Sequence, residues 1–304
     1  MYDIVIIGAG PAGLTAALYA LRAEKSVLVI EKGVFGGQIT FSPKIENYPG
    51  FTALTGNELA DKMMEQVIAH GAEFEMATVT GLAEENGVKQ VITDEGVFEG
   101  RTVIIATGAA HRHLGAPGEE ELIGNGISFC AVCDGAFYSG QTVAVIGGGN
   151  SALQEAELLS NTCKQVILVQ NLPALTGEKR LADALLAKPN VRAVYNSTVA
   201  GFTSENGAVT GVKIHDSAAG ADSTLAVEGV FVAIGLLPAT DFLKGTGLLD
   251  EYGYVKADES CRTAMEGVFV AGDCRTKSVR QITTAAADGA TAALAACAQI
   301  TTAP

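Results

Sequence analysis

Short apolar runs that end at a glycine recur along the chain. Residues 4–7 are all Ile or Val and stop at Gly8, a pattern typical of a strand buried on both faces of a parallel sheet. Small residues over 12–23 predict a helix, and the apolar run 26–30 predicts a second strand. Strand, glycine turn, helix and strand in this order predict one βαβ unit.

The same order of elements returns near the middle of the chain. Residues 142–146 predict a strand, 150–160 a helix and 166–169 a further strand, with glycine at all three positions 147–149. This repetition predicts an internal duplication, although the two sequences have diverged. Further strands are predicted at 91–99, 101–106, 209–214, 224–227 and 229–234, and a helix at the Ala-rich stretch 281–300.

Proline and glycine mark two places where the chain passes between domains, Pro117-Gly118 and Pro238. We therefore predict an α/β protein with two Rossmann-like dinucleotide-binding domains, the second inserted in the first. The outer domain is expected at 1–113 and 241–304, and the inserted domain at 114–240.

Composition excludes several classes of function. Hydrophobic residues make up 48% of the chain and charged ones 18%, which excludes intrinsic disorder. The 34 acidic and 20 basic residues give a net charge of -14, which argues against nucleic acid or an anionic membrane as a partner. No apolar run spans a bilayer and the first residues lack the basic region of a signal peptide, so we expect a soluble cytoplasmic protein.

The first glycine loop fits the Gly-x-Gly-x-x-Gly pattern of dinucleotide sites, with Gly8, Gly10 and Gly13 between a strand and a helix. The first glycine allows a tight turn, the second lets a pyrophosphate approach the backbone, and the third lets helix and strand pack closely. The helix N-terminus supplies free N–H groups, and Glu31 has the spacing of a carboxylate that accepts from a ribose 2′-OH. A bare tight turn is the alternative, which this combination disfavours.

Two more segments indicate that the dinucleotide is FAD. The apolar run 267–271 ends in Gly272-Asp273, and Asp273 could bond the ribityl chain of a flavin or merely cap a turn. Thr107 and Gly108 follow another predicted strand. Together these segments resemble those of flavoproteins with two dinucleotide-binding domains, which implies FAD as the cofactor.

A pair of closely spaced cysteines is the sharpest chemical signal. Two residues separate Cys130 from Cys133, which brings both sulfurs within disulfide range, and Asp134 follows directly. A helix starting there would lower the pKa of a thiol at its N-terminus. Half of a zinc site is the alternative, but no second pair completes it, so no metal is expected. The remaining cysteines are expected to be small buried hydrophobic residues: Cys163, Cys261, Cys274 and Cys297.

With these motifs in order, the chain resembles the low-molecular-weight thioredoxin reductases along nearly its full length. The resemblance rests on the Gly-rich first loop, Gly36-Gly37-Gln38, Glu46-Asn47-Tyr48-Pro49-Gly50, Cys-Ala-Val-Cys-Asp-Gly, Gly147-Gly148-Gly149-Asn150-Ser151-Ala152, and Gly272-Asp273 followed by Arg280-Gln281-Ile282. It implies that FAD is contacted by Gly37, Gln38, Asn47, Asp273, Arg280, Gln281 and Ile282.

The resemblance also implies how the dithiol works. In this family the second cysteine, here Cys133, lies against the flavin, and the first, Cys130, attacks the disulfide of thioredoxin. Asp134 matches the acid that supplies a proton to the departing thiolate, and a solvated carboxylate after a turn is the alternative. The family rotates its inserted domain between these two tasks, so 111–117 and 237–240 are expected hinges. The resemblance further implies a homodimer.

The sequence departs from the family's pattern after the second glycine loop. Gly147, Gly149, Asn150 and Ser151 predict a site for a nicotinamide dinucleotide, normally NADPH. NADPH-dependent members carry a His-Arg-Arg block after the next strand, because a 2′-phosphate needs cationic donors. Residues 169–177 contain no arginine, so this phosphate clamp is missing.

The electron donor therefore stays open. Gln170 and Asn171 are neutral, so the acidic residue of an NADH site is missing too, and a basic pair such as Lys179-Arg180 is more often a solvated helix end than a phosphate ligand. Weakly discriminated NADPH or NADH is one donor, and ferredoxin, which the net charge of -14 would repel, is another. Two other functions stay open as well: an oxidase of a small-molecule dithiol and a non-catalytic flavin-binding regulatory protein.

Overall fold

Both predicted βαβ units form in the computed structural model, which describes residues 1–42 and 44–302. The chain divides into two compact units. Unit 1 consists of Met1–Ala110 and the segment that begins at Leu237, and unit 2 is His111–Leu236. Unit 2 is thus inserted in the sequence of unit 1, and each unit contains a parallel sheet. The predicted class, α/β with two Rossmann-like folds, is confirmed.

The described residues form strands and helices in this order along the chain. The strands are β1 (Tyr2–Ile7), β2 (Val27–Glu31), β3 (Glu73–Met76), β4 (Val79–Glu85), β5 (Val88–Thr93), β6 (Val97–Ile105), β7 (Ala109–His111), β8 (Ile127–Ser128), β9 (Thr142–Ile146), β10 (Gln165–Val169), β11 (Val191–Val194), β12 (Ser197–Glu205), β13 (Ala208–Asp216), β14 (Ala221–Ala226), β15 (Gly229–Val232), β16 (Leu236–Pro238) and β17 (Val268–Val270). The helices are α1 (Pro11–Arg22), α2 (Gly56–Ala69), α3 (Glu119–Leu122), α4 (Ala131–Asp134), α5 (Asn150–Ser160), α6 (Lys179–Leu186) and α7 (Ile282–Thr302). Short 3-10 helices occupy Gly37–Phe41, Gly135–Tyr138, Asp241–Leu243 and Gly272–Cys274.

The sheet of unit 1 has the strand order β3-β2-β1-β6-β5-β4, with β17 also paired to β6. Strands β3, β2, β1, β6 and β17 are parallel, and β5 and β4 extend the sheet in antiparallel fashion. Ile4 and Ile6 of β1 are buried in one cluster with α1 and α7, and Val5 and Ile7 are buried on the other face. Burial on both faces explains the unbroken apolar run, and each such side chain stabilises the fold by about 1.5–3 kcal/mol.

Helix α7 packs closely against α1. A Cβ at Gly289 would overlap the carbonyl oxygen of Ala12, and Ala292, Ala293 and Ala296 are fully buried. The Ala-rich composition of α7 therefore serves a close helix–helix contact. Among the helices described, none has the length and apolar character needed to cross a bilayer.

The main sheet of unit 2 has the order β11-β10-β9-β15-β8 and is parallel throughout. Val143 and Val145 of β9 are buried in one cluster with α5. Ala144 and Ile146 are buried on the other face, in a cluster with residues of the antiparallel sheet β12-β13-β14. The second apolar run is thus continuous for the same reason as the first.

The two passages of the chain between the units run side by side, because β7 and β16 pair as a two-stranded sheet. Arg112 donates its N–H to the carbonyl oxygen of Gly235 at 2.9 Å, and Ala239 donates to that of Gly108 at 3.1 Å. The expected hinges at 111–117 and 237–240 start at this paired backbone, and their motion stays a prediction.

One predicted strand is wrong. The pattern predicts a continuous strand over 91–99, but the chain turns at 94–96 and divides this stretch between β5 and β6. Thr93 closes the turn, since its N–H and its hydroxyl both donate to the carbonyl oxygen of Gly96, whose φ is 144°. Gly96 is the local signal that indicates this hairpin.

Helix α2 is missing from the sequence-based prediction although its start carries a signal. Thr55 Oγ1 accepts the N–H of Glu58, and Glu58 Oε2 accepts the N–H of Thr55, which is a capping box. The Thr-x-x-Glu pattern at this point, together with the amphipathic run after it, is the local signal that indicates this helix.

Candidate functional site

The first glycine loop joins β1 to α1 with the predicted close contacts. Gly8 has a φ of 107°, and a Cβ there would overlap the carbonyl oxygen of Ala106. A Cβ at Gly13 would overlap the carbonyl oxygen of Gly8, so helix and strand touch here. Gly10 is the N-cap of α1, and a Cβ on Gly10 would have the carbonyl oxygen of Gly36, at 3.9 Å, as its nearest described neighbour. The space at the helix N-terminus therefore suits a phosphate group.

Glu31, at the end of β2, contacts the same loop. Its Oε2 accepts the N–H of Ala9 at 2.8 Å, and its Oε1 accepts the N–H of Gly33 at 2.9 Å. These two bonds orient the carboxylate beside the glycine loop, where the sequence predicts the acceptor for a ribose hydroxyl.

Other residues predicted to contact FAD approach this loop from distant parts of unit 1. A Cβ at Gly37 would lie 3.4 Å from the Cα of Gly10. A Cβ at Gly272 would lie 2.8 Å from the Cβ of Ala12, at the start of α1. Thr107 and Gly108 follow β6 next to Gly8, since the Cβ position of Gly8 is 3.2 Å from the Cα of Thr107.

Asp273 is the polar residue of this site whose bonding is incomplete. Its Oδ1 is buried and has no hydrogen-bond partner among the described residues. Burial raises the pKa of the carboxyl group, while the charges of Lys277 and Arg280 lower it. Since a buried acceptor without a partner costs about 1–3 kcal/mol, a ligand hydroxyl fits at this oxygen. The ribityl chain of FAD offers such hydroxyl groups, so the residues present fit this cofactor.

Arg280 is held in place on the same side of unit 1. Its Nε donates to the carbonyl oxygen of Asp273 at 3.3 Å, and its guanidinium lies 4.3 Å from the centre of the Tyr254 ring. Asn47 Nδ2 donates to Gln281 Oε1 at 3.3 Å, which joins two predicted FAD residues that are 234 positions apart.

Ile282 and Gln38 complete the predicted set in unit 1. Ile282 begins α7 and packs against the apolar cluster that contains Ile39 and Leu59. Gln38 lies in the 3-10 helix Gly37–Phe41. The individual roles of all these residues toward FAD stay predictions.

In unit 2 the predicted cysteine pair forms a disulfide. The Cα atoms of Cys130 and Cys133 lie 5.3 Å apart, and Cys130 is the N-cap of α4. Its Sγ accepts the N–H of Cys133 at 3.2 Å. A backbone N–H aimed at this sulfur stabilises negative charge when the disulfide opens.

Asp134 is linked to the disulfide through Ser128. Ser128 Oγ accepts the N–H of Cys130 at 3.1 Å and donates to Asp134 Oδ2 at 2.6 Å. Asp134 Oδ1 is buried and lacks a hydrogen-bond partner within the described part of the chain. Burial raises the pKa of Asp134, and the bond from Ser128 offsets part of this rise. Such a carboxyl group holds a proton more readily than a solvated one.

Sequence reasoning missed two residues of this site, Ser128 and Glu155. Glu155 lies on α5, and its Oε2 accepts the N–H of Ala131 at 3.0 Å. Burial raises the pKa of Glu155 to about 7, and the charge of Asp134 contributes to the rise. Ser128 precedes Cys130 by two positions, so a contact between them could be predicted from the local sequence. Glu155 lies 24 positions from Ala131, and no sequence pattern connects them.

The second glycine loop repeats the backbone of the first. Gly147 has a φ of 133°, and a Cβ there would contact the carbonyl oxygen of Ala233 at 2.5 Å. Gly149 is the N-cap of α5 with φ -84° and ψ 179°, close to the -77° and -176° of Gly10. The nearest described atom to a Cβ at Gly149 is Thr176 Oγ1 at 3.9 Å. This geometric match supports the predicted duplication and leaves space for a second pyrophosphate.

The segment after β10 lies against this loop. A Cβ at Gly148 would overlap the side chain of Gln170, which is buried. Gln170 Oε1 accepts the N–H of Asn171 at 3.1 Å, and its Nε2 donates to the carbonyl oxygen of Ala174 at 3.3 Å. The side chain at the strand end is therefore bonded within its own loop.

Among the described residues 170–180, the basic side chains do not converge on a site for the 2′-phosphate of NADPH. Asn150 Oδ1 accepts the N–H of Glu178 at 2.6 Å, and Ser151 is exposed. Lys179 Nζ pairs with Asp183 at 2.6 Å on the solvent-exposed surface of α6, and Arg180 is exposed. Among the residues described at 170–180, the cations thus lie at a solvated helix start.

The four cysteines outside the disulfide are buried and unpaired, as expected. Burial raises the pKa of each of these thiols: Cys163, Cys261, Cys274 and Cys297. A buried thiol with a raised pKa is a poor nucleophile, so these cysteines are not candidates for the redox pair.

A glycine loop with an unpaired buried acceptor in one unit, and a disulfide beside a buried acid in the other, define a flavoprotein disulfide oxidoreductase. The family model described as pyridine nucleotide-disulphide oxidoreductase matches residues 2–289, and the chain belongs to this family. FAD is its cofactor. Within the family the chain belongs to the low-molecular-weight thioredoxin reductases, as the resemblance in the sequence predicts.

Relatives and solved structures support this placement. The chain is 43% identical to the thioredoxin reductase of Listeria monocytogenes over 289 residues, which cover 95% of this chain and 91% of that protein. It is 41% identical to the thioredoxin reductase of Bacillus subtilis over 293 residues, with 96% and 93% covered. The crystal structure of thioredoxin reductase from Streptococcus pyogenes matches with a TM-score of 0.96 at 40% identity, covering 100% of this chain and 99% of that one.

Proposed function

We propose that this chain passes two electrons through FAD and the Cys130–Cys133 pair to the disulfide of thioredoxin. The observation that carries this proposal is the Cys130–Cys133 disulfide at the start of α4. Ser128 joins the backbone of Cys130 to the carboxyl group of Asp134. Its curated relatives at 41–43% identity carry the name thioredoxin reductase.

The residues of unit 1 bind and orient the cofactor. When bound, FAD supplies the carrier chemistry, taking up two electrons and passing them on as a pair. The N-terminus of α1, open beside Gly10, would hold the pyrophosphate. Asp273 Oδ1 would accept from a ribityl hydroxyl, and Glu31 would accept from a ribose hydroxyl.

Three residues of unit 2 carry out the disulfide exchange. The thiolate of Cys130 attacks one sulfur of the thioredoxin disulfide and expels the other, which takes up a proton. The thiolate of Cys133 then attacks Cys130 and releases the second thioredoxin sulfur, which is also protonated. Two electrons thus pass from the dithiol to thioredoxin, and the two protons taken up there balance the two that Cys130 and Cys133 release on forming their thiolates. Asp134, with its raised pKa, is the group that holds a proton for the leaving thiolate.

We infer that the electron donor is not restricted to NADPH. The backbone at Gly147 and Gly149 suits a pyrophosphate, as at the first loop. The described residues 170–178 contain no Arg or Lys, and Lys179 is paired with Asp183. A 2′-phosphate therefore gains no charged partner there, and NADH serves as well as NADPH. Reduced ferredoxin is the alternative donor.

The test is anaerobic mixing of the FAD-loaded protein with NADPH and with NADH, followed by flavin absorbance, and then addition of oxidised thioredoxin. Bleaching at comparable rates with both nucleotides, followed by free thioredoxin thiols, is expected. A strong preference for NADPH would contradict the inference on the donor. If reduced ferredoxin bleaches the flavin and neither nucleotide does, then ferredoxin is the donor. A bleached flavin without thioredoxin thiols would refute the thioredoxin reductase activity itself.

We further propose that the enzyme works as a homodimer in the cytoplasm. The four unpaired buried cysteines suit a reducing compartment, where thiols stay free. Light scattering of the FAD-loaded protein tests the assembly, and a monomeric mass would contradict it.

A further inference from the structure

Two carboxyl groups hold the backbone on either side of Cys130. The N–H of Cys130 donates to Ser128 Oγ, which in turn donates to Asp134. The next N–H, that of Ala131, donates directly to Glu155 Oε2 at 3.0 Å. Asp134 belongs to α4, while Glu155 reaches this point from α5. The start of the dithiol helix is thus fixed by two acids from different elements.

Both acids are half-buried. Burial raises the pKa of Asp134 and that of Glu155, and the charge of Asp134 raises the latter further, to about 7. The bond from Ala131 lowers the pKa of Glu155 but does not offset these effects. Burial is the main cause of this rise and the charge of Asp134 a smaller one, so Glu155 is partly protonated near neutral pH.

The elements packed around Glu155 contribute few other charges. From α4 the charge that acts on it is Asp134. Tyr138, in the 3-10 helix that follows α4, is a further titratable neighbour of Asp134, and burial and the charge of Asp134 raise its pKa. The strands β9 and β10 present apolar residues to α5. On α6, Lys179 and Asp183 pair with each other on the exposed surface.

We propose that Glu155 is a positioning residue of the dithiol, which fixes the Cys130–Ala131 peptide and, with Asp134, sets how much negative charge faces the two sulfurs when the disulfide opens. With Glu155 protonated, a thiolate at the helix start faces one carboxylate at most. With both acids ionised, it faces two like charges and is less stable. This inference rests on the proposed redox role of the Cys130–Cys133 pair.

The direction of the pH effect follows from these charges. Below about pH 7 Glu155 is neutral and leaves the thiolate undisturbed, whereas above this pH its carboxylate raises the pKa of the neighbouring thiol. The rate at which an alkylating agent reacts with the reduced pair therefore rises with pH in two steps instead of one. The first rise occurs while Glu155 is still neutral. The second occurs at higher pH, because the ionised carboxylate of Glu155 has raised the pKa of the thiol.

The experiment compares Glu155→Gln with Glu157→Gln in the FAD-loaded protein. Gln at 155 keeps an oxygen that accepts the N–H of Ala131, but its amide does not titrate and carries no charge. Glu157 lies on the same helix and pairs with Lys188 at 2.6 Å, so its replacement removes the same charge from α5 away from the dithiol. Each protein is reduced with dithiothreitol, and the rate of iodoacetamide labelling of Cys130 and Cys133 is measured by mass spectrometry across pH 5 to 10.

In Glu155→Gln we expect the step near pH 7 to disappear and the thiol titration to move to lower pH by on the order of one unit. Glu157→Gln should follow the wild type. Profiles of Glu155→Gln and wild type that superimpose would overturn the proposal and leave Glu155 a structural residue. The assay needs neither an electron donor nor thioredoxin, so this failure is distinct from a failure of the proposed activity.

A second variant keeps the test valid should Glu155→Gln fail to fold. In Asp134→Asn the like charge beside Glu155 is removed, so the step that belongs to Glu155 should move to lower pH. A step that keeps its position in Asp134→Asn would contradict the coupling of the two acids.

Discussion

At the scale of single residues, Asp273 has a buried carboxylate oxygen without a partner among the described residues, which is consistent with the predicted contact to FAD. We predict that Asp273→Ala lowers the affinity for FAD about 10- to 100-fold, since a hydrogen bond to a charged group contributes roughly 1.5–3 kcal/mol. The flavin-to-protein ratio after dialysis measures this loss. Asp273→Asn keeps an acceptor oxygen at this position and should retain more flavin.

The apoprotein supplies the control for this prediction. With FAD removed, the carboxyl of Asp273 is buried without a hydroxyl to bind, so Asp273→Ala should unfold at a Tm no lower than the wild type. A variant that retains the full complement of FAD would contradict the assigned role of Asp273.

Asp134 gives a prediction for pH dependence. Its pKa is raised by burial, so its protonated form persists to higher pH than for a solvated aspartate, and thioredoxin reduction that needs this proton falls as pH rises through the raised pKa. Asp134→Asn should lower the rate of thiol transfer about 100-fold or more and abolish this limb of the profile. Single-turnover oxidation of the reduced enzyme by thioredoxin, recorded across pH, measures both.

Ser128→Ala is the matched control for Asp134. The hydroxyl of Ser128 donates to Asp134 and lowers the pKa of the carboxyl, so its removal should shift the limb to higher pH without abolishing it. A shift to lower pH, or no shift, would contradict the described role of this bond.

At the scale of elements, two glycines of the turn from β1 to α1 have different tasks: Gly13 allows close packing, and Gly10 leaves space for a ligand. A Cβ at Gly13 would overlap the carbonyl oxygen of Gly8, whereas one at Gly10 has open space up to 3.9 Å. We predict that Gly13→Ala destabilises the apoprotein by about 1–3 kcal/mol or more, as overpacking does. Gly10→Ala should fold as the wild type but bind FAD weakly, because its methyl group takes the place of the pyrophosphate.

Urea unfolding of the two apoproteins and FAD titration of each measure this difference. Equal losses of stability in both variants, or undiminished FAD binding by Gly10→Ala, would contradict the reading of this turn as a phosphate site.

Much of the fold and part of the site follow from local sequence. Glycine loops are determined within six consecutive residues, so Gly8, Gly10 and Gly13, and equally Gly147 and Gly149, were predictable from spacing alone. The strand predicted at 91–99 failed because periodicity does not register a turn as tight as the one at Gly96.

Contacts between distant elements could not be predicted in the same way. The bond of Glu155 to Ala131 and that of Asn47 to Gln281 span 24 and 234 positions, and each exists because two elements pack together. Neither residue in such a pair has a local pattern that indicates its partner. The family resemblance supplied Asn47 and Gln281, whereas Glu155 emerged only from the fold.

At the scale of the whole molecule, the net charge of -14 affects any protein partner. If reduced ferredoxin is the donor, two acidic proteins must meet, and added salt should screen their repulsion and speed flavin reduction. Stopped-flow rates between about 10 mM and 0.2 M salt, where the Debye length falls from about 30 Å to below 10 Å, measure this effect. Rates that fall with salt would indicate a local basic patch at the docking site.

The central claim is that electrons stored on FAD and on the Cys130–Cys133 pair pass to thioredoxin. An anaerobic titration with dithionite, followed by oxidised thioredoxin, tests it without any assumption about the natural donor. We predict that the wild-type protein takes up twice as many electrons per chain as Cys130→Ser, because FAD and the disulfide each accept a pair. The reduced wild type should then produce thioredoxin thiols, while the reduced variant produces none. Equal uptake by both proteins, or thioredoxin that stays oxidised, would contradict the account.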